Sequence, residues 1–178
     1  PQHLLDVLGN ILNARTFSVT DCGSCSESCR QNSGISQGCT LSPLLFIMVM
    51  SIILADAAST LSPGARSAYE RGDLSDVIYA DDTLLMSVSG EHLSEYLKAV
   101  ATVGAKYGME LHWGKFQLLD IQCSTSVSTP AAEPIVAKER MEYLGTTLSA
   151  DVHDHHELVK RIAMAKADFM ALSNVWHR

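Results

Sequence analysis

The sequence has few basic residues. Only 13 of its 178 residues are Lys or Arg, against 20 Asp and Glu, which gives a formal net charge of −7 and an isoelectric point near 5.4. A protein that holds nucleic acid by its overall charge needs clustered Lys and Arg to neutralise phosphates. The composition therefore argues against charge-driven nucleic-acid binding by this chain as a whole.

The beginning of the chain lacks an export signal: it has no start methionine, no basic stretch before an apolar run and no small-residue cleavage site. The longest apolar run, residues 44–54, falls short of the roughly 20 residues that span a bilayer. Five cysteines, an odd number without an export signal, favour free thiols in a reducing compartment. We expect an intracellular protein, nuclear or cytoplasmic and not secreted, with no membrane partner.

What the chain does have is enough apolar material for the core of one globular domain, with 47% hydrophobic and 19% charged residues. Periodicity predicts both helices and strands, and the fold class that we expect is α+β. The helix over residues 43–59 is apolar almost all round, which predicts a buried element. The other predicted helices cover residues 1–12 and 91–107. Strands are predicted over residues 16–20, 76–78, 83–86, 109–112 and 116–121, a hairpin over 142–148, and loops over 21–33, 61–73 and 123–134.

The last segment has the clearest helical pattern. Asp154 and Glu157 have the spacing of a capping box, and an apolar stripe follows them. The stripe consists of Leu158, Ile162, Ala165, Phe169, Leu172 and Trp176. Its basic residues Lys160, Arg161 and Lys166 are interpreted as a solvated face, although a helix of this kind could also lie along a nucleic-acid backbone.

Two adjacent acids carry the main functional signal. Tyr79, Ala80, Asp81 and Asp82 lie between two apolar strand patterns, so a hairpin would place both carboxylates at its tip. Hard divalent cations prefer such oxygen ligands. Asp is also a favoured turn residue, and most Asp-Asp pairs at turns bind nothing. The pair becomes specific only together with the upstream segment 34–43, which contains Gln37 and Gly38 and leads into the long apolar helix.

Together these two segments resemble the palm of a reverse transcriptase. Residues 34–46 are similar to the segment that packs beneath the nascent base pair in non-LTR, LINE-like retroelement enzymes, and residues 79–82 are similar to the catalytic hairpin. Ala80 fits retroelement and group II intron enzymes better than retroviral ones. The resemblance implies a polymerase palm with a small antiparallel sheet, covered by the helices over 43–59 and 91–107.

The resemblance also implies roles for single residues. Asp81 would ligate two Mg²⁺ ions, for which Mn²⁺ could substitute, and Asp82 would assist or orient. Gly38 would let the backbone approach the incoming nucleotide and templating base, and Gln37 would help to position them. Tyr79 and Ala80 would lie beside the substrate. Arg30 would lie near the triphosphate or template.

The resemblance extends further along the chain. Residues 108–115 resemble the next motif, in which Lys115 would assist pyrophosphate departure as an acid, although His112, Phe116 and Gln117 depart from the usual pattern. Tyr143, Leu144 and Gly145 resemble the primer-grip turn. The implied division is a partial palm over residues 1–150 and the start of the thumb or connection helix over residues 151–178.

One expected part is missing from the chain as given. No segment resembles the first palm motif, an apolar strand that ends in the other metal-binding aspartate, and Asp6 and Asp21 are poor substitutes. In the family that strand would precede Pro1. We therefore expect the isolated chain not to polymerise. The parent would be an RNA-directed DNA polymerase acting on an RNA template, a DNA primer and dNTPs, in a longer polyprotein that supplies fingers, upstream palm and thumb.

Several alternatives stay open. The chain could be a non-catalytic palm remnant that acts as a nucleic-acid or protein interaction module, or part of a group II intron-type or telomerase-like enzyme. Cys22, Cys25 and Cys29 could hold zinc with a fourth ligand such as Cys39, although loop thiols are the favoured interpretation. His153, His155, His156 and Glu157 could bind a transition metal, although such consecutive positions do not share one helix face.

Overall fold

The computed structural model of the chain describes residues 2–13, 15–36, 38–123, 125–151 and 155–172. It divides into two compact units, Pro1–Met48 and Val49–Arg178. The division expected after residue 150 stays a prediction.

The first unit contains one helix and two small strand pairs. Helix α1 covers Gln2–Leu12, as predicted, and none of its residues is buried. The expected strand over 16–20 and the expected loop over 21–33 are replaced by four strands of two residues each. Strand β1 (Thr16–Phe17) pairs with β4 (Cys29–Arg30), and β2 (Thr20–Asp21) pairs with β3 (Ser24–Cys25). The physical reason is the turn at Cys22 and Gly23, whose positive φ angles of 47° and 83° suit a two-residue hairpin.

Helix α2 covers Ser42–Ser59 and runs from the first unit into the second. The predicted bounds are confirmed, but the prediction of an all-round buried helix is wrong. Leu44, Ile47, Met48 and Ile52 are each about half exposed, at 45–57%. Periodicity alone could not reveal this, because an apolar helix shows no polar face even where no neighbour covers it. By length and composition α2 could also cross a membrane, a test that core helices of soluble proteins pass as well.

The second unit continues with helix α3 (Pro63–Arg71), where a loop was expected. The Ser62 hydroxyl accepts a hydrogen bond from the Ala65 N–H at 3.4 Å, and Pro63 occupies the first turn. Gly72 ends the helix in the left-handed conformation at φ 83°. The sequence contains both end signals, but residues 63–71 have few apolar side chains, so no apolar stripe indicated the helix between them.

The acidic hairpin and the next helix follow. Strand β5 (Leu74–Tyr79) pairs antiparallel with β6 (Asp82–Ser87), and helix α4 covers Gly90–Lys106, close to its predicted bounds. One core joins these elements to α2 and α3. Tyr96, Ile53 and Leu74 are its largest fully buried side chains. The other buried members are Leu54, Ala57, Leu61, Ala65, Ala68, Val100 and Val103.

The remainder of the second unit is built from short pieces. A 3-10 helix covers Trp113–Lys115, and strand β7 is Leu118–Leu119. The strand expected over residues 109–112 is absent, and the one expected over 116–121 is reduced to β7. The loop expected over 123–134 contains strand β8 (Val127–Ser128), which pairs with β9 (Pro134–Ile135), and Val127 is buried. Strand β10 (Ala137–Lys138) pairs in parallel with β7.

The predicted hairpin over 142–148 is confirmed as β11 (Arg140–Tyr143) and β12 (Thr146–Ser149). The described strands form six separate two-stranded sheets, whereas one small sheet was expected. The mixture of helices and strands agrees with the α+β class.

Helix α5 covers His155–Ala171. Asp154 of the expected capping box and Trp176 of the apolar stripe lie outside the described residues. The described members of the stripe are exposed, and α5 touches β12 through its polar side chains. Glu157 accepts a hydrogen bond from the Thr147 N–H at 2.8 Å, which is the main cause that lowers its pKa. Lys160 lies 2.7 Å from Glu142. The basic residues of α5 are thus partly paired within the chain.

Candidate active site

The acidic hairpin has the geometry that the sequence predicted. Six residue pairs join β5 to β6, and the last of them is Tyr79 opposite Asp82. Ala80 and Asp81 therefore form a two-residue loop. Asp81 and Asp82 are both exposed, and Tyr79 is 62% exposed. Both carboxylates are presented to solvent at the end of a paired strand, where ligands can approach them.

The loop holds Ala80 in a conformation that favours glycine. Its φ is +52°, and Asp81 is not among the residues with positive φ, a combination that fits a type II′ turn. A left-handed Ala costs about 1–2 kcal/mol. Local strain of this kind is typical of functional turns.

We expect Ala80→Gly to raise the free energy of unfolding by about 0.5–1 kcal/mol, because relief of the left-handed strain exceeds the added entropy of the unfolded chain. Urea denaturation would measure it. The matched control is Ala105→Gly on the exposed side of α4, which should lower stability by about 1 kcal/mol. A loss of stability of the same size in both variants would contradict the strained turn.

Asp76 ties the hairpin to the two helices behind it. Its Oδ1 accepts hydrogen bonds from the hydroxyl of Tyr69 in α3 and from the hydroxyl of Tyr96 in α4, both at 2.8 Å. The two rings meet edge to face, with centroids 5.6 Å apart. Burial, and next the hydrogen bond to Asp76, raise the pKa of both tyrosines above the usual range. The role of Asp76 is not visible in the sequence, because only the fold brings two tyrosines that are 27 residues apart to one carboxylate.

The upstream segment 34–43, called the glycine segment below, belongs to the first unit and is held by Arg15, a second residue whose role is not visible in the sequence. The Arg15 guanidinium donates to the Gly34 carbonyl at 2.8 Å and to the Ser36 hydroxyl at 3.1 Å. The Ser42 hydroxyl donates to the Ser36 carbonyl at 2.7 Å. These bonds fix the segment that leads into α2.

Gly38 follows Gln37, which lies outside the described residues. Gly38 has a φ of +84°, and a Cβ placed there would meet no atom within 4 Å. Glycine is therefore needed at position 38 for the backbone conformation and not for packing. The space above Gly38 is open within the described structure. Arg30, the other predicted residue of this region, is exposed in β4, opposite Thr16.

The remaining predicted residues lie in the second unit. Lys115 is exposed at the end of the 3-10 helix, where its N–H donates to the His112 carbonyl at 2.9 Å. Leu144 and Gly145 form the two-residue turn between β11 and β12, with φ angles of 51° and 75° that fit type I′. Tyr143 precedes this turn.

The carboxylates of Asp81 and Asp82 fit a hard divalent cation in donor type. Two carboxylates alone do not complete a metal site, since a metal ion needs further ligands. Among residues 2–13, 15–36, 38–123, 125–151 and 155–172, no three His, Cys, Asp or Glu side chains are grouped to hold a metal ion. Cys22, Cys25 and Cys29 therefore form no such group either, and all three are free and exposed. His153 lies outside these ranges.

Comparison with known proteins adds one match. The family model described as Reverse transcriptase (RNA-dependent DNA polymerase) matches residues 6–148. A search of curated proteins and a search of solved structures each gave no match. The matched range contains the glycine segment, the acidic hairpin, Lys115 and the Tyr143 turn. The chain belongs to the reverse transcriptase family of RNA-dependent DNA polymerases.

Proposed function

We propose that this chain is the rear part of the palm of a non-LTR retroelement reverse transcriptase, with residues 1–150 in the palm and 151–178 at the start of the thumb. Family membership itself implies an RNA-directed DNA polymerase that binds a template and a primer, and the family normally uses divalent metal ions. The observation that carries the finer proposal is the hairpin that presents Asp81 and Asp82 at a strained two-residue tip.

The proposed role of the hairpin is to supply one half of a two-metal site. When bound, Mg²⁺ would stabilise the charge that develops on the attacking and leaving oxygens during nucleotidyl transfer. Asp81 would offer its carboxylate to both ions, and Asp82 would ligate or orient. A further aspartate has to come from outside this chain, from a strand upstream of it in a longer protein.

The roles proposed for the other residues are those that the resemblance implies, and the exposure of these residues supports them. The open space above Gly38 supports a close approach of its backbone to a base or nucleotide, with Gln37 beside it. Exposed Arg30 and Lys115 are able to reach phosphates, and Lys115 could donate a proton to the leaving pyrophosphate. The tight turn of Tyr143, Leu144 and Gly145 would support the primer strand.

Manganese binding tests the proposed metal site on the chain itself. Mn²⁺ titrated into the ¹⁵N-labelled chain should broaden the amide signals of residues 80–82 first, because a paramagnetic ion relaxes the nuclei nearest to it. The double variant Asp81→Asn, Asp82→Asn should abolish this broadening. Asp6→Asn and Asp21→Asn are matched controls that should leave it unchanged. Broadening centred elsewhere, or unaltered in the double variant, would refute a metal site at the hairpin tip.

The second candidate function is a non-catalytic interaction module. It is favoured by the finding that the described residues contain no complete group of metal ligands. The same manganese titration separates the two candidates, because a module without a metal role has no reason to bind Mn²⁺ at residues 80–82.

A further inference from the structure

We infer that the stacked rings of Trp113 and Phe116, with Lys115 and Lys138 beside them, form a binding platform for one unpaired base of single-stranded nucleic acid. This platform is separate from the acidic hairpin. It shares with the proposed function the class of ligand and Lys115, but it rests on the two stacked rings and needs no metal ion, so either proposal can fail without the other.

The platform is built by the 3-10 helix. Trp113 is the first residue of this helix, and Phe116 is the residue that ends it, with an extended backbone at φ −63° and ψ 140°. The Phe116 N–H donates to the Trp113 carbonyl at 3.2 Å, which closes this turn. The two rings stack with centroids 4.8 Å apart and planes inclined by 24°. The two rings therefore form a stacked pair within the chain itself, next to this closed turn.

The rings stand apart from the core. Neither belongs to the buried cluster around Tyr96, and Trp113 keeps 37% of its surface exposed. A base stacked on an aromatic ring contributes about 1–3 kcal/mol and needs no particular sequence. The exposed indole is suited to this contact.

Two exposed lysines lie near the stack. Lys115 precedes Phe116, and the Lys138 Nζ is 3.4 Å from the Gln117 Oε1, which places it beside the following residue. Both lysines are exposed, and within the described ranges neither forms an ion pair. Four of the other basic residues, by contrast, pair with acids: Arg66, Arg71, Lys160 and Arg161.

Acidic residues limit the positive charge here. Glu110 and Glu139 are both exposed and close in sequence to the platform. Stacking must therefore supply most of the affinity, and the two lysines would contact at most two phosphates. For single strands the logarithm of the binding constant should then fall with the logarithm of salt concentration at a slope of about −1.4.

Tryptophan fluorescence tests the platform directly. The chain has two tryptophans, Trp113 and Trp176, so the variant Trp176→Phe reports on Trp113 alone. Without divalent metal, a single-stranded oligouridine should quench this fluorescence. A duplex RNA should not, because its bases are already stacked. Polyphosphate, which carries charge without bases, should not quench either. Absence of quenching by the single strand, or equal quenching by polyphosphate or duplex, would overturn the inference.

Substitutions separate the contribution of base stacking from that of the two lysine charges. Trp113→Ala should weaken binding of a labelled oligouridine about 5- to 150-fold, the range expected for one lost stacking contact. Lys115→Gln with Lys138→Gln should bring the salt slope near zero. Lys98→Gln, at an exposed lysine of α4, should change neither. The binding test contains no divalent metal, so failure of the hairpin proposal would leave this result intact. Because the quenching test keeps Trp113, Phe116 and both lysines in place, it does not depend on the folding of Trp113→Ala.

Discussion

Asp81→Asn, in the longer protein that we propose contains this chain, is expected to reduce RNA-templated incorporation of deoxynucleotides about 1,000-fold or more. Asp81 would contact both metal ions, so the substitution removes a charge and a ligand from each. The loss of several kcal/mol of transition-state stabilisation corresponds to a rate change of this size. Primer extension on an RNA template with Mg²⁺ measures it.

Three comparisons make this result specific. Asp82→Asn should have a smaller effect, because its proposed role is to assist. Asp73→Asn, next to the hairpin but 3.0 Å from Arg71 in an exposed ion pair, should leave incorporation unchanged. The isolated chain should incorporate nothing. Full activity of Asp81→Asn would contradict the metal role, and incorporation by the isolated chain that disappears in Asp81→Ala would contradict the need for an upstream aspartate.

Tyr96→Ala is expected to lower the free energy of unfolding by about 4–5 kcal/mol, close to the whole stability of a small domain. Tyr96 is fully buried, and its hydroxyl donates to the Asp76 carboxylate at 2.8 Å. The substitution leaves a large cavity and takes one donor from a half-buried acid. Tyr96→Phe removes only the hydrogen bond and should cost about 1.5–3 kcal/mol. Urea denaturation at neutral pH measures both.

The matched control is Tyr107→Phe, which removes an equally short hydrogen bond, 2.8 Å from the Tyr107 Oη to the Asp56 Oδ2, at an exposed site. It should change stability by less than about 0.5 kcal/mol. Equal losses for Tyr96→Phe and Tyr107→Phe would contradict the special role of the Asp76 contact.

The pH dependence of stability follows from the same site. Burial, and next the Asp76 carboxylate, raise the pKa of Tyr96 above the usual value of about 10. Above pH 10, Tyr96 therefore keeps its hydroxyl proton in the folded chain and loses it in the unfolded chain. This contribution to stability is therefore fully present below pH 10 and is lost as the pH rises above it. Tyr96→Phe should make the decline shallower.

The sequence predicted the parts of the fold that local patterns determine. The acidic hairpin has two short apolar runs on either side of turn residues, and α4 has a regular apolar stripe, so both were predicted with nearly correct bounds. Helix α3 was missed because its apolar residues are few, although Ser62, Pro63 and Gly72 signal its two ends. The prediction that α2 is buried on all sides was wrong, because the apolar pattern of a helix does not show which neighbours cover it.

The acidic residues of the candidate site could be predicted from the sequence, but the residues that hold its elements in place could not. Asp81 and Asp82 stand out as a pair in the sequence, and their exposure at a hairpin tip was expected. Asp76 and Arg15 were not identified, since each acts through partners distant in the chain: Tyr96 for Asp76 and Gly34 for Arg15. Hydrogen bonds of this kind depend on tertiary structure. Neither spacing nor composition contains them.

Sequencing the native transcript upstream of residue 1 tests most directly whether this chain supplies one half of a two-aspartate metal site. The account predicts that the open reading frame continues upstream into an apolar strand that ends in an aspartate, the partner of Asp81. A stop codon or an unrelated sequence at that place would contradict it and would leave the interaction-module alternative as the better account of the chain.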